Sequence, residues 1–412
     1  MRLLLIHHNF PAQFRDLIGA WKERGQELVA LGAQPLAQPI EGLTHLAYGA
    51  VAAWEEAFPG GPLDADLEQA FRRGWLVAQA CRELRDQGFE PDAVIVHSSW
   101  GEALHLRTIW PQAVLLAYPE LYGSPACLGA GFDPEVEPIA PELEACIERK
   151  NLLALAAIQA ADRAVVPTEF QRSTFPLALQ RQLDVIHEGV DTDRVAPNFH
   201  CAVAVGEALT LRAGDPVVTF ASRHLEPLRG FHQLMKALPA LLQAHSGVQV
   251  LIAGELEGQG YGPASDHPLG YGGALLEQLG DRIDRSRVHF LGRLPYGDLL
   301  ALMQISAAHV YLTYPYTLSW SLLEAMACGA AVVGSAGGPL AEVISHGRNG
   351  LLVPFADTGA LAAALLELLL KPELRQRLGR AARRTVVESY GLARSADSYL
   401  QLIQELQARR RP

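Results

Sequence analysis

Short apolar runs alternate with amphipathic stretches along almost the whole chain, and this pattern constrains the fold more than any other feature. A first series of runs covers residues 3–6, 28–31, 93–97, 114–117, 164–167 and 184–186. A second covers 217–221, 248–253, 288–291, 309–312, 331–334 and 350–353. Helical patterns such as 230–242, 297–307 and 357–370 lie between them. A strand that is apolar at successive positions is buried on both faces, so its neighbours are parallel and each crossover is a helix. The sequence therefore predicts an α/β protein of two doubly wound, Rossmann-like domains. The 412 residues suit that count, at ~100–200 residues per domain.

The expected organisation is a first domain over 1–190, a linker over 191–215 and a second domain over 216–390. A terminal helix over 391–412 is expected to cross back onto the first domain. Ligands of such sheets bind beyond the carboxyl ends of the strands. Two sheets facing across a cleft would put the site in that cleft. Two insertions stand out, at 119–141 and 255–273, and loops of this length are usually functional or mobile.

The charge sum excludes several partners. With 34 cations against 45 anions the net charge is 34 − 45 = −11. No overall field attracts nucleic acid or an anionic membrane. The lysines are Lys22, Lys150, Lys236 and Lys371, and none follows a glycine, so no Walker-A phosphate loop exists. The dinucleotide glycine fingerprint is missing too, because the first run leads into His7-His8-Asn9-Phe10-Pro11.

The five cysteines are widely spaced and form no C-x-x-C pair, which fits a reducing compartment. The first residues are too few for a signal-peptide core. The longest apolar stretch, 360–370, is interrupted by Glu367 and falls short of the ~20 residues a bilayer requires. A cytoplasmic protein is expected, at most peripheral to the inner face of the membrane.

Three constellations carry chemistry. In Ser222-Arg223-His224-Leu225-Glu226-Pro227-Leu228-Arg229-Gly230, a strand ends and a helix opens. Two guanidiniums beside a helix N-terminus suit a diphosphate, unless both arginines merely pair with surface carboxylates. The second constellation runs from Tyr311 to Gly329. It holds Tyr316, Thr317, Leu318 and Ser319, the last a plausible N-cap. Glu324 then falls inside an apolar helix and needs a partner. That partner is either a core arginine or the two hydroxyls of a ribose. The third is Gly334-Ser335-Ala336-Gly337-Gly338-Pro339, which reads first as an ordinary strand-to-helix turn.

Together these pieces resemble the nucleotide-binding domain of the family-4 glycosyltransferases, retaining enzymes of the GT-B fold. The resemblance covers about 186–390. It includes His187-Glu188-Gly189-Val190-Asp191-Thr192, Arg223 with Arg229-Gly230, Phe290-Leu291-Gly292, Leu323-Glu324-Ala325-Met326-Ala327-Cys328-Gly329 and Gly337-Gly338 with Glu342. The first half is similar through Val166-Pro167-Thr168-Glu169 and through His7-His8-Asn9-Phe10-Pro11-Ala12-Gln13-Phe14.

The resemblance implies donor contacts from Arg223, Arg229, Gly292, Tyr316, Thr317, Leu318, Ser319 and Glu324. It departs from the family at four places. Tyr316 stands where the family has a glutamate over the donor sugar. Arg229 replaces a lysine, with one more residue between it and Arg223. The first-strand Gly-Gly loop is absent. The N-domain histidine has no counterpart, and Glu120, the nearest residue to that place, joins Arg223 and Arg229 as a catalytic candidate.

The implied reaction moves a sugar from a nucleotide-diphosphate sugar to a carbohydrate, lipid-linked or small-molecule acceptor with retained configuration. The leaving phosphate deprotonates the acceptor, and no protein nucleophile is needed. Arg223 and Arg229 would stabilise the leaving charge in place of a metal. No zinc spacing occurs, no metal is expected, and no cofactor beyond the co-substrate is required. His8 and Asn9, at the end of the first strand, are candidate acceptor contacts. His97 is another, although a purely structural role for it stays open. Two alternatives remain: a non-catalytic nucleotide-sugar-binding subunit, or another GT-B enzyme such as an epimerase or a phosphorylase.

Overall fold

The computed structural model describes residues 1–49, 62–256, 260 and 267–410. The chain divides into two compact units. The first comprises Met1–Ser124, Ile139–Gly189 and Leu392–Pro412, and the second Pro125–Pro138 and Val190–Gly391.

The first unit is built on β1 (Arg2–Ile6), β2 (Glu27–Gly32), β3 (Leu43–Ala47), β4 (Ala93–His97), β5 (Val114–Tyr118), β6 (Arg163–Val166) and β7 (Leu183–Val185). Among the described residues these strands form one parallel sheet in the order β3-β2-β1-β4-β5-β6-β7. Successive side chains alternate between its two faces. Leu3, Leu5, Ile95 and Leu116 enter one core, and Leu4, Ile6, Val94 and Val96 enter the other. Burying each such leucine or isoleucine contributes ~1.5–3 kcal/mol.

The helices Arg15–Glu23 and Leu392–Arg410 cover the first face. There Trp21 Nε1 donates to the Ala396 carbonyl at 3.2 Å, and the Trp21 and Tyr399 rings meet edge to face at 5.6 Å. Residues of the helices Pro62–Asp86 and Pro141–Ala160 fill the second core. Strand β3 has no apolar run to announce it, because it is a half-exposed edge strand.

The second unit holds β8 (Ala202–Val205), β9 (Leu209–Arg212), β10 (Val217–His224), β11 (Gln249–Glu255), β12 (Val288–Gly292), β13 (Ala308–Tyr311), β14 (Val332–Ser335) and β15 (Leu351–Val353). Its main sheet is parallel, in the order β12-β11-β10-β13-β14-β15. Val218, Phe220, Val250 and Ile252 pack under the helices Phe231–Ala244 and Thr358–Leu370. Val217, Leu251 and Ala253 face the opposite side.

Two expectations about organisation are corrected. The stretch 191–215 is folded and is no bare linker. It carries the antiparallel β8–β9 hairpin, whose Leu211 is buried with Cys201 against Val217, Leu251 and Leu302. The Arg383 guanidinium also donates to the carbonyls of Thr192 and Val195 at 3.1 Å. These strands are four residues each and are exposed at alternate positions, so they look like loop.

The insertion 119–141 falls within the expected first domain, but its residues 125–138 belong to the second unit. Phe132 packs against Tyr314 and Phe355, and the buried Asp133 accepts from His232 Nε2 at 2.8 Å and from the Tyr314 hydroxyl at 2.7 Å. Its proline and acid content hides these two anchors. Of the other insertion, residues 257–259 and 261–266 lie outside the described residues, and the helix Gly270–Leu279 begins near its end.

Candidate functional site

Each sheet has one place where the strand order reverses: between β1 and β4 in the first unit, and between β10 and β13 in the second. Crevices beyond the carboxyl ends of strands at such points are where doubly wound sheets bind ligands. The chemistry-bearing residues of this chain collect at both.

In the second unit Arg229 sits between β10 and the helix Phe231–Ala244. The intervening Gly230 has φ 67° and lies so close to β13 that a Cβ would come 2.4 Å from that of Leu312. Arg229 Nη1 donates across the switch point to the hydroxyls of Tyr311 at 2.9 Å and Thr313 at 2.8 Å, and to the Thr317 carbonyl at 3.1 Å. Its guanidinium carbon lies 5.7 Å from the ring centroids of both Tyr311 and Tyr316. Nε and Nη2 of Arg229 have no protein hydrogen-bond partner among the described residues. The guanidinium is therefore held rigidly with part of its fork unused. Arg223 is exposed near the end of β10, and Gly292 is exposed at φ 65° at the end of β12.

The loop after β13 brings the other donor candidates together. Thr317 and Leu318 are buried. Ser319 caps the helix Trp320–Ala327, with its own N–H donating to the Tyr311 hydroxyl at 2.8 Å. Tyr311 therefore ties Arg229 and the start of this helix to one oxygen. Glu324 is buried in the helix and accepts a hydrogen bond from the Tyr296 hydroxyl at 2.8 Å. Neither of the readings left open by the sequence included this partner.

One group among the described residues could hold a metal ion: Asp133, Glu135 and His232. Its donors are already engaged. Asp133 takes the His232 and Tyr314 hydrogen bonds, and Glu135 takes Gln233 and Lys236. Burial alone would raise the Asp133 carboxyl, but the hydrogen bonds from His232, Tyr314 and the Glu135 backbone hold it below the usual carboxylate range. The group fits a clamp on residues 125–138.

In the first unit the candidates His8 and Asn9 follow β1, His97 ends β4 and Glu120 follows β5. His8 is half-buried and Asn9 exposed, with the Asn9 N–H donating to His7 Nδ1 at 2.9 Å. His97 is wholly buried. Its ring stacks on Trp100 at 4.4 Å and meets the His7 ring at 4.6 Å. It therefore supports Trp100 from beneath, rather than facing solvent as an acceptor contact would.

Glu120 adopts φ 61°, an unusual backbone for a residue with a side chain. One of its carboxylate oxygens is 3.5 Å from His97 Nε2. Burial and the neighbouring His97 push His7 down to about 2; burial, Arg73 and His97 push His8 down to about 4. Both rings are neutral at pH 7.

Sequence reasoning missed Tyr48, Arg73 and Glu102 in this unit and Tyr296 in the other, and it assigned no role to Tyr311 and Thr313 within the second constellation. Their role comes only from where the sheets place them, and no spacing signals it.

Two parallel doubly wound sheets of this kind define the GT-B fold of nucleotide-sugar enzymes, and the comparisons agree. Residues 24–195 match the family model described as glycosyl transferase family 4 group, and residues 207–385 match that described as glycosyl transferases group 1. The chain belongs to this group-1, family-4 class of glycosyltransferases.

Among curated relatives it is similar to the D-inositol 3-phosphate glycosyltransferase of Saccharomonospora viridis, 31% identical over 60% of this chain and 56% of that protein. The chain thus spans about half the length of the curated relatives it matches. Among solved structures it resembles sucrose-phosphate synthase from Thermosynechococcus elongatus, with TM-score 0.74 and 20% identity over 99% of this chain and 100% of that one. It also resembles HepE from Anabaena, solved in complex with UDP-glucose, with TM-score 0.67 and 16% identity over 98% and 100%. At these identities the likeness is one of fold.

Proposed function

We propose that the protein transfers a sugar from a nucleotide-diphosphate sugar to a hydroxyl-bearing acceptor with retention of configuration. The observation that carries this reading is Arg229. It is fixed across the β10–β13 switch point by three hydrogen bonds from one nitrogen, while Nε and Nη2 stay available. A preorganised guanidinium stabilises developing phosphate charge without reorganising during the reaction. Arg223 adds a second cation, and Gly292, Thr317, Leu318 and Ser319 line the donor side.

Glu324 receives ribose hydroxyls, and Tyr316 covers the sugar. The two arginines supply the charge that a metal supplies elsewhere, so the transfer is metal-independent. The leaving phosphate takes the acceptor proton. His8 and Asn9 contact the acceptor, and Glu120, whose carboxylate lies 3.5 Å from His97 Nε2, is the catalytic candidate of this unit. Among the described residues no helix is long and apolar enough to cross a membrane. Action in the cytoplasm is part of the proposal, and contact with the inner membrane face follows if the acceptor is lipid-linked.

The relative solved with UDP-glucose makes uridine nucleotides the first donors to try. Thermal-shift ranking of UDP, GDP, ADP and TDP tests donor binding, since a ligand at 100 times its Kd adds ~2.7 kcal/mol. Matching nucleotide sugars are then assayed for hydrolysis and for transfer to an acceptor panel. Failure of every nucleotide to shift Tm would sink the reading.

One observation favours a second reading. Tyr316 cannot act as the carboxylate that the family places over the donor sugar, which suits a subunit that binds nucleotide sugar without turning it over. Slow hydrolysis of the bound donor separates the two, because a binding subunit shows none.

A further inference from the structure

Below the end of β1 lies a carboxylate that the proposed transfer does not use. Glu102 is completely buried on the turn that follows β4. Gly101 makes that turn possible. It has φ 104°, and a Cβ there would sit 2.2 Å from the Ala70 carbonyl oxygen. The turn is thus pressed against the helix Pro62–Asp86, which also brings Arg73 in.

Glu102 Oε1 accepts the Tyr48 hydroxyl at 3.3 Å. The same oxygen lies 3.7 Å from His8 Nδ1 and 3.8 Å from Arg73 Nε. Arg73 Nη1 donates to the Trp100 carbonyl at 2.6 Å, which fixes its position. Glu102 Oε2 has no hydrogen-bond partner among the described residues.

Tyr48 joins this carboxylate to His8, because its hydroxyl oxygen is also 3.1 Å from His8 Nδ1. A phenol has one hydrogen. When that hydrogen goes to Glu102, the phenol oxygen is left to accept, and His8 Nδ1 must be the donor. A neutral imidazole protonated at Nδ1 carries its lone pair on Nε2. We propose that Glu102 and Tyr48 are positioning residues that hold His8 in its Nδ1–H tautomer, so that Nε2 accepts a hydrogen bond from a hydroxyl of a neutral polyol or saccharide acceptor. The inference rests on the reading of His8 as an acceptor contact.

The surroundings support it. The groups facing His8 are Arg73, Glu102, Tyr48, His97, His7 and Trp100. Burial, Arg73 and His97 keep its ring neutral at pH 7, as a hydrogen-bond acceptor must be. Burial pushes the Glu102 carboxyl up on balance, and its backbone hydrogen bond, Arg73, His97 and the Tyr48 hydroxyl offset part of that push. The Trp100 ring centroid lies 5.7 Å from that of His8, which puts an aromatic ring beside the imidazole. An aromatic face beside a fixed acceptor suits a sugar or cyclitol ring, which presents C–H groups and hydroxyls together.

The test uses the full chain labelled with ¹⁵N-histidine, with His8 assigned by loss of its signals in His8→Gln. The parent should show His8 protonated at Nδ1 alone at neutral pH. Tyr48→Phe removes the oxygen that accepts from Nδ1 while keeping the ring, and Glu102→Gln weakens the direction of the relay while keeping volume. Each should move His8 toward the Nε2–H form. Titration with D-glucose and with myo-inositol should perturb Nε2 in the parent, with ~5-fold weaker apparent affinity in Tyr48→Phe, the loss expected for one neutral hydrogen bond.

A parent ring protonated at Nε2, or a tautomer unchanged in both variants, overturns the relay. A His8 Nε2 signal that ignores both polyols overturns its role as a hydroxyl acceptor. These readouts involve no sugar transfer, so their failure is distinguishable from a failure of the transferase reading itself.

Discussion

The Tyr296 hydroxyl donates to Glu324 Oε1 at 2.8 Å. This bond anchors one end of a buried carboxylate on the helix Trp320–Ala327 and keeps it aligned. Tyr296 opens its own helix, Tyr296–Gln304, 28 residues upstream of Glu324. Under the proposed function, this orientation is what lets the carboxylate receive the ribose hydroxyls.

Glu324→Gln is expected to weaken nucleoside diphosphate binding by roughly 10–150-fold, the loss of a charge-assisted hydrogen bond. The amide oxygen can still accept from Tyr296, so Tm should change little. Calorimetry with ribose and 2′-deoxyribose nucleotides checks the role. The deoxy penalty should shrink in the variant, because the contact is already gone. A lower Tm with an unchanged deoxy penalty would place Glu324 in the core alone.

The two arginines should behave differently. Arg223 is exposed, so Arg223→Ala should reduce turnover by roughly 10–150-fold with Tm preserved. Arg229→Ala should cut turnover by a similar factor and also lower Tm, because Tyr311, Thr313 and the Thr317 carbonyl lose their shared donor. Arg229→Lys keeps the charge but not the fork and should recover little. Steady-state rates beside melting curves decide this. Full turnover in both alanine variants would remove the diphosphate assignment.

Acid should destabilise the fold before most carboxylates titrate. Buried His309, bonded through Nδ1 to Thr219 Oγ1 at 2.8 Å, is pushed down to about 4 by burial, and His7 lies lower still at about 2. Both pKa values are depressed in the fold. As pH falls below ~6.5, the unfolded chain takes up protons that the fold refuses, and stability falls by up to ~1.4 kcal/mol per pH unit and group. The loss runs from about pH 6.5 to 4 for His309 and continues lower for His7. Melting temperatures between pH 7 and 4.5 should slope less steeply in His309→Asn than in the parent. Parallel curves would contradict the assignment.

The Asp133 clamp holds residues 125–138 on the second unit. Asp133→Ala leaves His232 and Tyr314 buried without their acceptor, and each buried donor left unsatisfied costs ~1–3 kcal/mol. Hydrogen exchange should rise first across 125–138, ahead of the β10–β13 core. Uniform exchange would show that the segment is held by Phe132 and its aromatic neighbours instead.

The architecture was legible because it is written locally. Runs such as Leu3 to Ile6 and Val248 to Ala253 must be buried on two faces, and only parallel strands between helices achieve that. Charge, cysteine spacing and the placement of lysines narrowed the chemistry, because they depend on composition alone. Arg223, Arg229 and Glu324 stood out through their position at strand ends or inside an apolar helix. Strands β3, β8 and β9 stayed hidden, since short half-exposed strands alternate weakly and resemble loop.

The partners belonged to the tertiary structure. Tyr296 for Glu324, Tyr311 for Arg229, Tyr48 and Glu102 for His8, and His232 for Asp133 lie between 28 and 99 residues from the groups they serve. A hydrogen bond depends on where sheet order and helix packing bring two atoms within about 3 Å. The sequence by itself determined which residues could carry charge and which had to be buried. Only the folded sheets, by bringing distant strand ends together, decided which charges are held by hydrogen bonds and which groups are kept neutral.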